Sequence, residues 1–309
     1  MDLVHSDGSP LSPRVAKAFR DENADRIQGF LTRASERWNA GIDEILGTHL
    51  STPHPLQALQ FEPRLFLVPK PAPFVPRKAG LLGLLWPPRR KRIEEENETR
   101  RRDWDALVLG WQEERRGHVD LEAGRERDYR TGRHSDVEAM ERVFEDRLAL
   151  LTWPRETEVS YQIRDSHRVL WLDVDFPEVE DMPREQASSA ARGLKLNVRN
   201  KSDAQVRREY MQHIHAVLFR LLGEAFHSLP TLQEVVASGY SQRADPTTGH
   251  IRDDYLISVK VNRDAWSKLN FQNLEALDVV ASFERFDLRR KMTKTGIFTP
   301  IDPHVEGEA

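Results

Sequence analysis

The chain reads as an α+β protein, with a mixed or antiparallel C-terminal sheet holding one long amphipathic helix and a helical half before it. Three observations carry this reading. Val159, Tyr161 and Ile163 alternate with polar residues, and Leu170, Leu172, Val174 and Phe176 alternate with Trp171, Asp173 and Asp175, the two-residue period of half-buried strands. Beyond Ser202, residues Val206, Tyr210, Ile214, Val217, Leu218, Leu221, Ala225 and Phe226 fall on one wide helical stripe. Residues 234–243 and 255–261 then flank Ala244-Asp245-Pro246-Thr247-Thr248-Gly249, a turn between two strands.

The elements follow in order. Residues 15–46 place Val15, Phe19, Ile27, Phe30, Leu31, Trp38, Ile42 and Ile45 mostly at helical spacing. Residues 53–88 carry Pro63, Pro69, Pro71, Pro73, Pro76, Pro87 and Pro88, a density that excludes helix interiors and predicts an extended segment. Residues 89–133 alternate blocks of opposite charge, which supports a solvated helix, and Trp104, Leu107, Val108 and Trp111 give it one apolar face. Residues 1–134 are therefore expected to form a helical, proline-rich region with a coiled-coil or oligomerisation segment, and 135–309 the α+β domain.

Ser135 with Glu138 makes a capping-box pattern, and Val137, Met140, Phe144, Leu148 and Leu151 share a stripe that Pro154 ends. Asp165-Ser166-His167 supplies the turn between the first two strands. Residues 194–198 read as a weaker third strand, and Ser202 with Gln205 opens the long helix. Short helices are expected around 264–269 and 279–286, and an irregular tail from 297.

Composition narrows the function. With no cysteine among 309 residues, disulfides, thiol nucleophiles and cysteine-based metal sites are excluded. A reducing cytoplasm fits that composition, and cytoplasmic residence is the expectation. The net charge of −4 opposes strong whole-protein attraction to nucleic acid or anionic membrane. The apolar run Gly80–Trp86 is far shorter than the ~20 residues of a spanning helix, and no membrane partner is expected. Phosphate-binding glycine loops and a G-x-S-x-G elbow are both missing.

The segments Trp153-Pro154-Arg155-Glu156-Thr157, Leu172–Asp175, Glu180–Pro183, Ser238–Arg243, Ile251-Arg252-Asp253 and Lys294–Phe298 carry a resemblance as a set. They resemble the C-terminal region of a group of uncharacterised bacterial proteins, over residues 135–303. That region is distantly similar to a domain accompanying Mrr-like restriction nucleases. The resemblance implies a bacterial protein in a DNA-related or anti-phage setting, and no activity.

The element order αβββαββ also resembles the core of the PD-(D/E)xK nuclease fold. Such sites use carboxylates on neighbouring strands to hold Mg²⁺ and a lysine to steady the attacking water. Asp173 and Asp175 share a strand face and could approach one metal. The position two beyond Asp175 is Pro177, so Lys195 on the third strand would have to serve. The simpler expectation is that both aspartates pair with basic residues on neighbouring strands. His213 and His215 stand two apart on a helix and cannot jointly grip one ion, so one is expected partly buried and one exposed. Arg289, Arg290, Lys291 and Lys294 form a cationic cluster that could touch phosphates.

The expected function is a non-catalytic interaction or scaffold protein without cofactor. It binds a protein partner or a second copy through Trp104, Leu107 and Trp111, with nucleic acid as a further candidate partner. The alternative is a Mg²⁺-dependent or degenerate nuclease using Asp173, Asp175 and Lys195.

Overall fold

The structure is a computed structural model describing residues 12–80, 86–164, 168–190, 194–245 and 247–307. The turn at 165–167, the run at 81–85 and Pro246 lie outside the described residues. The chain divides into two compact units, residues 1–58 with 134–309, and residues 59–133.

The larger unit begins with helices α1 (Pro13–Glu22) and α2 (Ala24–Leu46), followed by a 3₁₀ turn at Thr48–Ser51. Helix α4 (Val137–Ala149) leads into strands β1 (Glu158–Arg164) and β2 (Val169–Asp175). Strands β3 (Glu185–Ala190) and β4 (Lys195–Asn200) come next, then the long helix α5 (Asp203–Ser228). Strands β5 (Glu234–Ala244) and β6 (Ile251–Asn262), short helices α6 (Arg263–Trp266) and α7 (Val279–Ser282), and strands β7 (Asp287–Met292) and β8 (Phe298–Thr299) complete it.

The main sheet is six-stranded and mixed, in the order β1-β2-β5-β6-β7-β8. Only the β2–β5 pair is parallel, because α5 carries the chain across between them. The expected α+β class and the amphipathic helix are both present. Ser202 Oγ accepts the Gln205 amide at 3.3 Å and caps α5. The predicted stripe is buried throughout, and each fully buried Leu or Phe contributes about 2 kcal/mol. α5 is covered on a second side as well, since α2, α4 and the 3₁₀ turn all pack on it. Gly223 permits the closest approach: a Cβ there would lie 2.1 Å from Thr52 Cγ2.

Several expectations are corrected. The third strand forms, but it pairs with an unforeseen strand, β3, in a separate two-stranded sheet and does not join the large one. The helix cap before α4 is Asp136, whose carboxylate accepts the Glu138 amide, and Ser135 is not the cap. The basic run 289–291 is a strand. The helical region before residue 134 is divided between the two compact units. Residues 12–58 belong with the sheet, where Asn39 brackets Ala187 of β3 through bonds of 2.9 and 3.0 Å.

Among its described residues the smaller unit holds helix α3 (Pro87–Arg130) and the extended proline-rich segment that precedes it. Partners on that segment meet α3 every seven residues and run antiparallel to it. Asn97 brackets Arg77 through both amide atoms, Trp104 Nε1 donates to Ala72 O at 2.7 Å, and Trp111 Nε1 donates to Val68 O at 2.9 Å. His118 Nε2 lies 2.8 Å from Arg64 O, and the Arg125 guanidinium sits over the Phe61 ring. Seven helical residues rise ~10 Å, a distance within reach of the three to five strap residues that separate successive partners. Proline lacks an amide to donate, so a strap rich in it is held mainly through its carbonyls and ring faces, with the Arg77 and Arg64 amides donating to Asn97 and Glu122. The indole, imidazole and guanidinium tips of α3 supply those contacts.

Candidate functional site

β2 buries Leu170, Leu172 and Val174 and turns Trp171, Asp173 and Asp175 to the opposite face, as the alternation predicts. Asp173 does not pair with a base. Its Oδ2 accepts the Tyr255 hydroxyl at 2.8 Å, while Oδ1 is buried without a hydrogen-bond partner. Burial, outweighing that hydrogen bond, raises the Asp173 carboxyl above its usual range, and the Asp253 charge adds to the shift. Asp175 is raised by burial and then by Asp253, Glu158 and Glu156. It stands between Glu158 on β1 and Tyr240 on β5, at the edge of an 870 Å³ cleft lined also by Trp153, Arg155, Glu156 and Gln242. This cleft lies at the C-terminal ends of the parallel pair.

The sign of the Asp173 shift gives a first prediction. A carboxyl whose folded pKa is raised destabilises the fold once ionised, and this penalty vanishes as pH falls through its unfolded value. Asn can still accept the Tyr255 hydroxyl without carrying charge. Asp173→Asn should therefore raise the urea midpoint at pH 7 and leave it unchanged near pH 3; an equal or lower midpoint at pH 7 contradicts the assignment.

Lys195 is not brought to the aspartates. It lies on β4 of the small sheet, facing solvent, and opposite Ala190. Among the described residues no cluster of three or more His, Asp and Glu has the arrangement of a metal site. The cationic cluster also separates, because alternate residues of β7 face opposite ways. Arg290 turns inward, its Nη1 2.7 Å from His215 Nε2 and its Nη2 3.2 Å from Glu284. Arg289 donates to Pro303 O at 3.0 Å, and Lys291 and Lys294 remain exposed.

His213 and His215 are both buried, which corrects the expectation of one exposed ring. Helix α5 is covered on two sides, so neither ring reaches water. His215 Nδ1–H donates to Met211 O at 2.6 Å, leaving Nε2 to accept from Arg290, and the ring is neutral. His213 Nδ1 faces Ile45 O at 3.3 Å.

A further constellation escaped the sequence reading. Ser258 Oγ lies 2.8 Å from His304 Nδ1, and His304 Nε2 lies 3.4 Å from Asp287 Oδ2. The residue types are those of a nucleophile, base and acid. The geometry is that of a clasp, because Ser258 has no exposed surface and its oxygen also accepts the His304 amide at 3.0 Å. Ser238 Oγ, 2.8 Å away, completes the buried row. These residues pin the chain end to the sheet. No spacing signal links Ser258 to a histidine 46 positions later.

In the smaller unit Trp104 and Trp111 spend their indole N–H groups on the strap, so the surface left for a partner differs from the predicted trio. Leu107 is 65% exposed, and Leu65 and Leu67 on the strap are 79% and 84% exposed. Val68, Pro69, Pro71, Ala106 and Gly110 form a shallow, mainly apolar groove with Leu107 and Trp111, flanked by Asp103 and Glu114. Among the described residues no helix is long and apolar enough to cross a membrane. No family model, curated protein or solved structure matches the chain.

Proposed function

We propose that this chain is a non-catalytic interaction protein that self-associates through the helix-and-strap unit. One observation carries the reading: that unit leaves large apolar side chains, Leu65, Leu67 and Leu107, facing water beside a groove that its own fold does not fill. Strap and helix are cross-bonded by side chains every seven residues, so the surface is held in one shape before any partner arrives. Such pre-organisation lowers the ordering cost of association. The sequence motifs that resemble the domain accompanying Mrr-like restriction nucleases favour a DNA-related setting by analogy. The nuclease alternative has less support, since Lys195 sits on another sheet and Asp173 is engaged by a tyrosine.

Light scattering on the full chain tests the reading. The parent should exceed monomer mass, while Leu67→Glu/Leu107→Glu should be monomeric with an unchanged circular dichroism spectrum and melting temperature. Both side chains are exposed, so their replacement costs the fold no more than about 0.5 kcal/mol. A parent that stays monomeric, or a variant that assembles as the parent does, contradicts the proposal.

A further inference from the structure

The six-stranded sheet ends on β1, whose outer edge faces no other strand. Among the described residues no hydrogen bond reaches the backbone N–H and C=O groups along that edge. A free strand edge is a template for another strand, and proteins ordinarily guard it with a proline, a bulge, charged side chains or shortness. The opposite edge is guarded in this way, since β8 is only two residues long. β1 is not. It runs seven residues, EVSYQIR, pairs with β2 without a bulge, and carries charge only at its two ends.

Those residues complement themselves when a second copy runs antiparallel with Tyr161 on the two-fold axis. Glu158 then meets Arg164, Val159 meets Ile163, Ser160 meets Gln162, and Tyr161 meets its own counterpart. Opposite charges and apolar pairs placed directly across from one another stabilise such a ladder. Charge divides the same way beyond the strand, with Glu156 and Asp175 near Glu158, and Arg168 beside Arg164. Glu158, Ser160 and Gln162 are exposed. Arg164 also engages Glu306 and Gln162, and its guanidinium keeps further donors for a facing carboxylate.

We infer that β1 is an isologous interface between two copies of this chain, antiparallel about Tyr161, which joins their sheets into one. The inference rests on self-association through the smaller unit. Two strands of this length do not by themselves repay the freedom lost on association. The pairing also brings Glu141 and Glu145, whose charges reach Tyr161, toward their counterparts. A copy already tethered through the smaller unit presents its β1 edge at a high effective concentration, and the strands pair second.

The chain has no cysteine, so introduced thiols report the pairing without background. In Ser160→Cys/Gln162→Cys each thiol faces the other thiol of the second copy, and mild oxidation of the full chain should give a disulfide-linked dimer. Cross-linking should run at least about tenfold faster than in Lys195→Cys/Asn197→Cys, two exposed positions of the same spacing on β4. Adding Leu67→Glu/Leu107→Glu should lower it to that control, and cross-linking that survives contradicts the dependence on the smaller unit. Amide exchange at 158–164 gives a second measurement free of thiols. Protection there should rise with parent concentration and stay low in Ser160→Lys/Gln162→Lys, where like charges face each other. A parent that is monomeric by light scattering removes the self-association proposal and this inference with it. A parent that assembles, yet cross-links no faster than the β4 control or shows concentration-independent exchange at 158–164, overturns this inference alone.

Discussion

Arg263→Ala should destabilise the α+β unit by on the order of 4 kcal/mol, a large share of the 5–15 kcal/mol that holds a typical domain. Arg263 opens α6 and reaches back to the exit of α5. Its Nε donates to Leu232 O at 2.5 Å, its Nη1 to Phe226 O at 3.0 Å and its Nη2 to Leu229 O at 2.7 Å. The guanidinium also sits over the Phe226 ring, 5.0 Å from its centroid. Phe226 O is one of the last carbonyls of α5, which the helix itself leaves unpaired, and Leu229 O and Leu232 O belong to the buried turn that follows it. One side chain serves all three. Arg263→Lys should recover less than half of the loss, because an ammonium cannot direct donors to three separated carbonyls at once. Urea unfolding at pH 7 measures both; a loss below 1 kcal/mol for Arg263→Ala contradicts this account of how α5 ends.

Acidification should produce a comparable loss through the two buried histidines of α5. Burial lowers His213 to about 4, with the facing Arg155 adding to the fall, and the Ile45 carbonyl opposing it only in part. His215 falls to about 3, again mainly through burial, with Arg290 lowering it further while the Met211 carbonyl and Asp278 oppose. Both rings are neutral when folded but take a proton near 6.5 when unfolded, so the unfolded state binds more protons in between. Their stabilisation is complete above pH 6.5 and is lost as pH falls toward 4 and 3. Each contributes a slope that rises to roughly 1.4 kcal/mol per pH unit below 6.5, hence about 3 kcal/mol for the pair between pH 6.5 and 5. Asp173 and Asp175 shift stability in the opposite direction, so the comparison that isolates the histidines is a variant. His213→Asn keeps a donor toward Ile45 O and carries no titrating group. Its urea midpoint should fall less steeply on acidification than the parent's, the remaining dependence coming from His215 and from His49 and His304, which burial also lowers. Parallel pH profiles would contradict the assignment of the slope to this ring.

How much of this was legible in the sequence depends on what holds each element. Strands β1 and β2 and helix α5 are set by their own apolar periods, and Leu170, Val174, Ile214 and Leu218 bury as those periods require. Strand β3, with sequence EQASSA, has no apolar alternation. It is a strand because it pairs along its length with β4, and Asn39, 148 residues earlier, bonds both backbone groups of Ala187, a tertiary contact with no local trace. Strand β7 was hidden by its charges. Arg290 looks like a surface residue until His215 and Glu284 are placed around it. The strap was half legible: proline density predicted extension, but Asn97, Trp104, Trp111, His118 and Arg125 share no hydrophobic class. Their seven-residue spacing is visible only when polar side-chain tips are counted with the rings.

The candidate surfaces divide the same way. Trp104, Leu107 and Trp111 were legible as one face of α3, whereas the bonds that commit the two indoles to the strap were not. Asp173 and Asp175 were legible as a shared face, but nothing in their spacing announced Tyr255, which lies 82 residues away. The free edge of β1 could not be read at all, because which strand ends a sheet is decided by how segments far apart in the chain line up.

Amide hydrogen exchange of the full chain, followed by mass spectrometry at increasing protein concentration, tests self-association through the helix-and-strap unit most directly. Peptides spanning residues 64–75 and 103–114 should gain protection as concentration rises, while those of β5 and β6 stay constant. Exchange at 64–75 and 103–114 that is independent of concentration, across the range where light scattering reports assembly, would contradict it.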